Sequence, residues 1–247
     1  MSPLAAERAT EVIRAAHAEF GDRLVIVTSF QREGIAILDL ALKALGAIRV
    51  LTLDTGRLPQ ATIELMSEVE RRYGIKVERV PPDEAEVSAM VATHGRDLFY
   101  DGVPQRSLCC NIRKVRPLAR ALTDVGAYFT GLRREQSETR KDVEVFDRSA
   151  TPVKISPLAD WTAEELLEYT SQNDLPVHRF YCEGYTSIGC DPCTRATVAG
   201  EDERAGRWWW ENDGSRECGL HFSPEGKAER TVDVLLREIL ESVKAKA

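Results

Sequence analysis

The absences in this chain narrow it first. No apolar run approaches the roughly 20 residues needed to cross a bilayer, so no membrane partner is expected. The start, Met1 to Arg8, lacks a basic stretch followed by an apolar one, so no secretory signal is expected and a cytoplasmic location is the default. The Gly-Lys-Ser/Thr of a Walker loop is missing, and so is the G-x-G-x-x-G of a dinucleotide fold. There is no internal repeat and no low-complexity tract. Positive charge is in deficit: 33 Lys and Arg against 40 Asp and Glu give a net charge of −7. With a pI near 5.3, the overall field disfavours non-specific nucleic-acid binding, and basic residues matter only where they cluster.

What is present suits one large or two small domains: 247 residues, 43% of them hydrophobic. The first half alternates helix and strand. Helical spacing over residues 4–20 ends at Gly21, and Leu24 to Thr28 reads as a buried strand. A helix follows from Ile35 to Leu45, then a strand from Ile48 to Leu53. Pro59 opens a helix through Tyr73, and Ile75 to Val80 alternates as a third strand. Short connections between such elements predict an α/β fold, an open, mostly parallel sheet with helices on both faces. Further on, a helix is expected from near Cys109 to Leu122 and strands at Ala127–Thr130, Val143–Phe146 and Val153–Ile155. Thr162 with Glu165 forms a capping box for a helix to Gln172. Residues 200–226 are charged, rich in Gly and Trp and aperiodic, and are expected to be mobile; a last amphipathic helix spans Lys227 to Val243.

In an open parallel sheet, ligands bind beyond the C-terminal ends of the strands. Ser29–Gly34 and Asp54–Arg57 fall there, although an ordinary turn explains either. Arg133, Arg134 and Arg140 follow a strand and a glycine, and Arg204 with Arg207 makes a second group. The guanidinium fork matches phosphate and sulfate oxygens. A solvated charged face is the plainer account of any single one.

Six cysteines in a cytoplasmic chain point to metal binding, catalysis or free thiols rather than structural disulfides. Cys109 and Cys110 are adjacent, and a vicinal disulfide between them would be strained. Placed near a helix N-terminus, their thiolates would gain from the dipole. With Cys190 and Cys193 they make four soft ligands for a tetrahedral metal or a cluster. Zinc is the second reading, because an adjacent pair departs from the usual two knuckles, and buried free thiols are the third. A redox dithiol at Cys190–Cys193 ranks lower, since the motif is not near the start of the chain in a strand–helix setting. Lys114, four residues after Cys110, shares its helix face. Cys182 fits no pattern. Cys218 stands among Arg216, Glu217, Gly219 and His221, a setting that suits either a nucleophile or a free surface thiol.

In this order, Thr28–Gly34, Leu53–Leu58, Cys109-Cys110 with Lys114, Gly131–Arg140, Tyr185–Thr194 and Arg216–His221 resemble the assimilatory adenylyl-sulfate (APS) reductases, thioredoxin-dependent relatives of the phosphoadenylyl-sulfate (PAPS) reductases. The cysteine arrangement is the specific part, and the match runs from Val27 to His221. The resemblance implies a Rossmann-like fold of the adenine nucleotide alpha-hydrolase type. It implies one domain over residues 1–247, with a nucleotide and cluster core at 1–199 and a mobile catalytic segment plus final helix at 200–247. Cys218 would attack the sulfate sulfur of adenosine 5′-phosphosulfate, AMP would leave, and thioredoxin or glutaredoxin would release sulfite from the S-sulfocysteine. Cys109, Cys110, Cys190 and Cys193 would hold one [4Fe–4S] cluster, which in the family tunes the site without carrying the electrons. Ser29, Leu53, Lys114, Gly131, Arg140, Arg204, Arg207 and His221 would contact substrate. The four cluster cysteines argue for the substrate without a 3′-phosphate; a PAPS or dual-substrate enzyme is the alternative. The chain stops soon after His221, so the reductant is expected to be a separate protein, and a homo-oligomer is compatible with this reading. An ATP-dependent tRNA-thiolation enzyme would want Ser-Gly-Gly-x-Asp-Ser at Ser29–Gly34 and a basic face, both missing. A metal-stabilised sensor with an idle Cys218 is the non-enzymatic alternative.

Overall fold

Leu24–Val27, four apolar residues in a row, form the central strand β1, and its alternate side chains enter two different cores. The structure, a computed structural model, describes residues 3–211 and 227–245. Around β1 the chain lays down α1 (Pro3–Phe20), α2 (Arg32–Leu45), β2 (Arg49–Leu53), α3 (Gln60–Tyr73), β3 (Val77–Val80) and α4 (Glu84–His94). There follow α5 (Val103–Cys110), α6 (Arg116–Ala121), β4 (Ala127–Phe129), β5 (Phe146–Asp147), β6 (Val153–Ile155), α7 (Ala163–Gln172) and α8 (Lys227–Lys244).

The strand order is β3-β2-β1-β4-β6-β5, parallel throughout except for the β5–β6 pair. Ile26 lies level with Val50 and Phe129, and all three face a core built with α1, α2, α3 and α7. Val25 lies level with Tyr128 and packs on the other face with Leu51, Leu118 and Leu122, under α6. The sheet is therefore covered on both faces, as the helix–strand alternation predicts. The chain leaves β1 toward β2 and later returns to β4 on the other side. That reversal opens a crevice at the C-terminal ends of β1 and β4.

A third apolar cluster lies beyond the sheet. It joins Ala89 and Met90 of α4, Leu98, Phe99, Leu108, Trp208 and Ile239 of α8 with Cys110, Cys190 and Cys193, and Cys109 packs against it. Three expectations need correction here. The cysteine pair ends α5, a helix that starts at Val103, so it stands at that helix's C-terminal end and gains nothing from the dipole at its N-terminus. A π-helical turn over Asn111–Val115 then joins α5 to α6. Helix α4 was not expected, and α2 begins at Arg32 rather than Ile35.

Candidate active site

The β1–α2 turn is tight. Phe30 is fully buried with φ of +59°, a conformation that side chains larger than glycine rarely adopt. Its N–H donates to Thr28 Oγ1 at 3.0 Å, and Thr52 Oγ1 donates to the Thr28 carbonyl at 2.8 Å. Gly34 sits so close to Thr28 that any Cβ would strike its hydroxyl, and a Cβ on Gly131, after β4, would strike the Glu33 side chain. The two glycines let the loops after β1 and β4 approach one another.

Between these loops lies a cleft of about 1260 Å³, its open mouth included. Thr28, Ser29, Gly34, Leu53, Thr55, Thr130 and Gly131 form its floor and rim, and Tyr128 and Leu118 add an apolar side. Lys114, Arg140, Arg204 and Arg207 bring positive charge to its wall. Of the eight residues that sequence reasoning assigns to substrate, seven therefore line one cleft: Ser29, Leu53, Lys114, Gly131, Arg140, Arg204 and Arg207. The eighth, His221, lies outside the described residues, as do Cys218 and Arg216. Within residues 200–211, grouped above with the mobile segment, Ala205–Trp208 is buried: Trp208 is 1% exposed, and Arg207 pairs in an isolated bridge with Thr194.

The post-β4 arginines have separate tasks. Arg140 lines the cleft and donates to Gln136 Oε1 at 2.5 Å. Arg134 is turned to Asp160 at the surface. Arg133 is buried, with its Nε on Glu33 at 3.0 Å and its other nitrogens 3.3 Å from Glu135, Glu203 and the Trp161 carbonyl. Gln136 ties this group together, donating to Glu33 at 2.8 Å and accepting from the Arg133 N–H at 3.1 Å.

The cysteines meet the cleft at Cys190, which lines it beside Thr55 at 3.3 Å. Burial opposes the Cys190 thiolate. Lys114, the Thr55 hydroxyl, Arg207 and Arg113 outweigh that penalty, and its pKa falls below the ordinary thiol value. Burial and the neighbouring Cys190 raise Cys193 to about 11, and burial raises Cys109 despite Arg113 and Lys114. Four thiols in one apolar cluster, with cations placed to offset their charge, make a donor set that fits a thiolate-held metal or cluster. Among the described residues, however, no three Cys, His or acidic side chains are arranged to hold a metal ion, so the set is gathered without being pre-shaped. Cys182 is exposed and apart.

Arg113, Trp208 and Glu203 belong to this site and were not foreseen. Arg113 is buried between the cysteines and Thr55, whose carbonyl accepts from it at 2.7 Å. Its position one residue before Lys114 was the available signal. Trp208 forms the cleft wall between Arg106 and Arg207, with their guanidinium carbons 4.5 Å and 4.8 Å from its ring centroid. Nothing local distinguishes Trp208 from Trp209 and Trp210 in the sequence.

Residues 23–196 match the family described as "Phosphoadenosine phosphosulfate reductase domain". The "Adenosine 5'-phosphosulfate reductase" of Allochromatium vinosum is 46% identical over 208 residues, covering 82% of this chain and 81% of that protein. The Burkholderia cepacia protein of the same name is 44% identical over 204 residues, covering 82% of each. Among solved structures, the phosphate complex of a phosphoadenylyl-sulfate reductase from Candida auris superposes with a TM-score of 0.64 at 27% identity, over 77% of this chain and 90% of that one. An FMN adenylyltransferase from Candida glabrata reaches a TM-score of 0.57 at 11% identity, over 94% and 80%, which is a likeness of fold alone. On the family match and the identity to these relatives, the chain belongs to the phosphoadenosine phosphosulfate reductase domain family and is an oxidoreductase of that family.

Proposed function

We propose that this chain reduces adenosine 5′-phosphosulfate to sulfite and AMP, with thioredoxin or glutaredoxin as the reductant, in sulfate assimilation. The observation that carries the reading is the cleft at the C-terminal ends of β1 and β4. It has an apolar side for a base, and Lys114, Arg140, Arg204 and Arg207 stand ready for two linked anionic groups. The Cys218 thiolate attacks the sulfate sulfur. The bond from that sulfur to the bridging oxygen breaks, and AMP leaves with the electron pair. A basic wall favours this step because negative charge builds on the bridging oxygen as the bond lengthens. One reductant thiol then attacks the Cys218 sulfur and releases sulfite. A second closes the reductant disulfide and returns the Cys218 thiol.

Cys109, Cys110, Cys190 and Cys193 are the residues that would hold a [4Fe–4S] cluster, and Lys114 stands near three of them while also lining the cleft. When bound, the cluster supplies an electrostatic influence on the site rather than a reducing electron. Lys114 orients the anionic end of the nucleotide, and Trp208 with Leu118 keeps water from one side of it. The one-domain organisation, with a core at residues 1–199 and the catalytic segment plus final helix at 200–247, belongs to the same proposal.

Mixing reduced protein with adenosine 5′-phosphosulfate, quenching and mapping peptides by mass tests the reading. One added sulfonate is expected on Cys218, removed by reduced thioredoxin with stoichiometric sulfite. A protein that turns over with Cys218 unmodified, or a Cys218→Ser variant with full activity, overturns it.

A further inference from the structure

Among the described residues, two carboxylates line the cleft, Glu33 and Glu203. Glu33 is committed to neighbours, accepting from Arg133 at 3.0 Å and from Gln136 at 2.8 Å. Glu203 pairs with the same Arg133 at 3.3 Å, and Glu135 takes a third position on that guanidinium, also at 3.3 Å. Three carboxylates thus share the Arg133 guanidinium, which lies closest to Glu33. The groups that face Glu203 are Glu33 from the start of α2, Arg133 and Arg140 from the loop after β4, its own neighbour Arg204, and the half-buried Tyr181. Burial and Glu33 disfavour its ionised form more than the three arginines favour it, so its pKa is raised to about 7.

A carboxylate on the wall of an anion-binding cleft subtracts from the field that draws the ligand in. The subtraction grows with ligand charge, because the Coulomb energy is a product of charges. It also vanishes when the carboxyl takes a proton. We propose that Glu203 is a specificity residue that sets how much negative charge the cleft accepts, favouring the less charged adenine nucleotide. This rests on the reading of the cleft as an adenine nucleotide site and deepens it. The sign is fixed. A bound anion strengthens Glu203's hold on its proton, so uptake occurs above about pH 7. Affinity then falls as pH rises through that window, while below it the group is neutral and contributes no slope.

The test uses the full chain with AMP and with adenosine 3′,5′-bisphosphate, titrated calorimetrically at pH 8 in buffers of different ionisation enthalpy. Glu203→Gln is compared with wild type, and Glu203→Ser serves as a second variant should the first not fold. Removing the carboxylate is expected to tighten AMP about fivefold at pH 8 and the bisphosphate about tenfold, the ceiling reached when the bound state holds Glu203 fully neutral. Wild type is expected to take up a fraction of a proton more than either variant. Equal tightening of both nucleotides, no tightening, or identical proton uptake overturns the inference while leaving the nucleotide site standing. Failure of wild type to bind either nucleotide overturns the reading of the cleft, and this inference with it.

Discussion

Arg133 shows how a residue can matter to a site without lining it. Its guanidinium is 2% exposed in a pocket of carboxylates and a carbonyl, and its bonds to Glu33, and to Gln136 through the backbone, set the stage on which Arg140 is aimed. Removing it would leave Glu33 buried without its countercharge. Arg133→Met is expected to lower stability by about 3–5 kcal/mol, the usual cost of breaking a buried pair, read from urea unfolding. Loss of less than about 1 kcal/mol would show that the carboxylates find other partners. Lys114 is the opposite kind of residue, one whose charge is shared between the cleft and the thiols of Cys109, Cys190 and Cys193. Lys114→Gln is expected to weaken AMP about tenfold, as loss of one charge-assisted hydrogen bond does, and to leave adenosine binding unchanged. Equal loss for both ligands would mean that the lysine shapes the cleft and does not bind the anion.

At the scale of elements, some features could be read from the residues and others not. Residues 4–20, Ile48–Leu53 and Pro59–Tyr73 carry clear periods, and two helices and a strand appear there within a few residues of the expected bounds. The capping box is also as written: Glu165 N–H donates to Thr162 Oγ1 and Thr162 N–H to Glu165 Oε2, both at 3.0 Å. Thr162→Ala is expected to cost about 1 kcal/mol in thermal or urea unfolding, with catalysis unchanged, since α7 packs away from the cleft. Helix α4 escaped notice because its apolar residues do not gather on one stripe. Its local sign was present in Asp83, whose carboxylate accepts from the N–H groups of Ala85 and Glu86 at 3.0 Å and 3.1 Å. Helix α5 starts six residues before Cys109, with Gly102 at its N-cap and Pro104 in its first turn, where Pro sits comfortably. The site divides the same way. Lys114, Arg140, Cys109, Cys110, Cys190 and Cys193 stand in motifs with a chemical logic, and the structure gathers them at or beside the cleft. Arg113, Glu203 and Trp208 owe their place to tertiary neighbours, and no window of sequence reports those.

The whole molecule sums contributions that no single element reveals, and its response to pH is the clearest case. His178 is buried, its Nδ1 accepting from the Phe180 N–H at 3.2 Å and its Nε2 3.0 Å from Thr62 Oγ1. Burial, aided by Arg179, lowers its pKa to about 4. Between about pH 4 and the ordinary histidine value near 6.5, the unfolded chain therefore holds a proton that the folded chain refuses, and stability rises with pH. Glu203 works in the opposite direction. Its pKa of about 7 exceeds the ordinary carboxylate value of 4.5, so the folded chain holds the extra proton across that window and stability falls with pH. The two displacements are similar in size and opposite in sign over nearly the same range. Wild type is expected to have almost level stability from about pH 4.5 to 6.5. Acid loss is expected below that range, where surface carboxylates held low by partners, such as Glu78 by Arg49, become protonated. Each variant should expose the slope it leaves behind. Glu203→Gln should gain stability as pH rises across the window, and His178→Gln should lose it. Urea unfolding at pH 4.5, 5.5 and 6.5 measures both. A level profile in both variants would mean that neither group titrates as its burial dictates, whereas equal and opposite slopes would show that a flat wild-type profile is a balance between a histidine on the α3 side and a glutamate in the cleft.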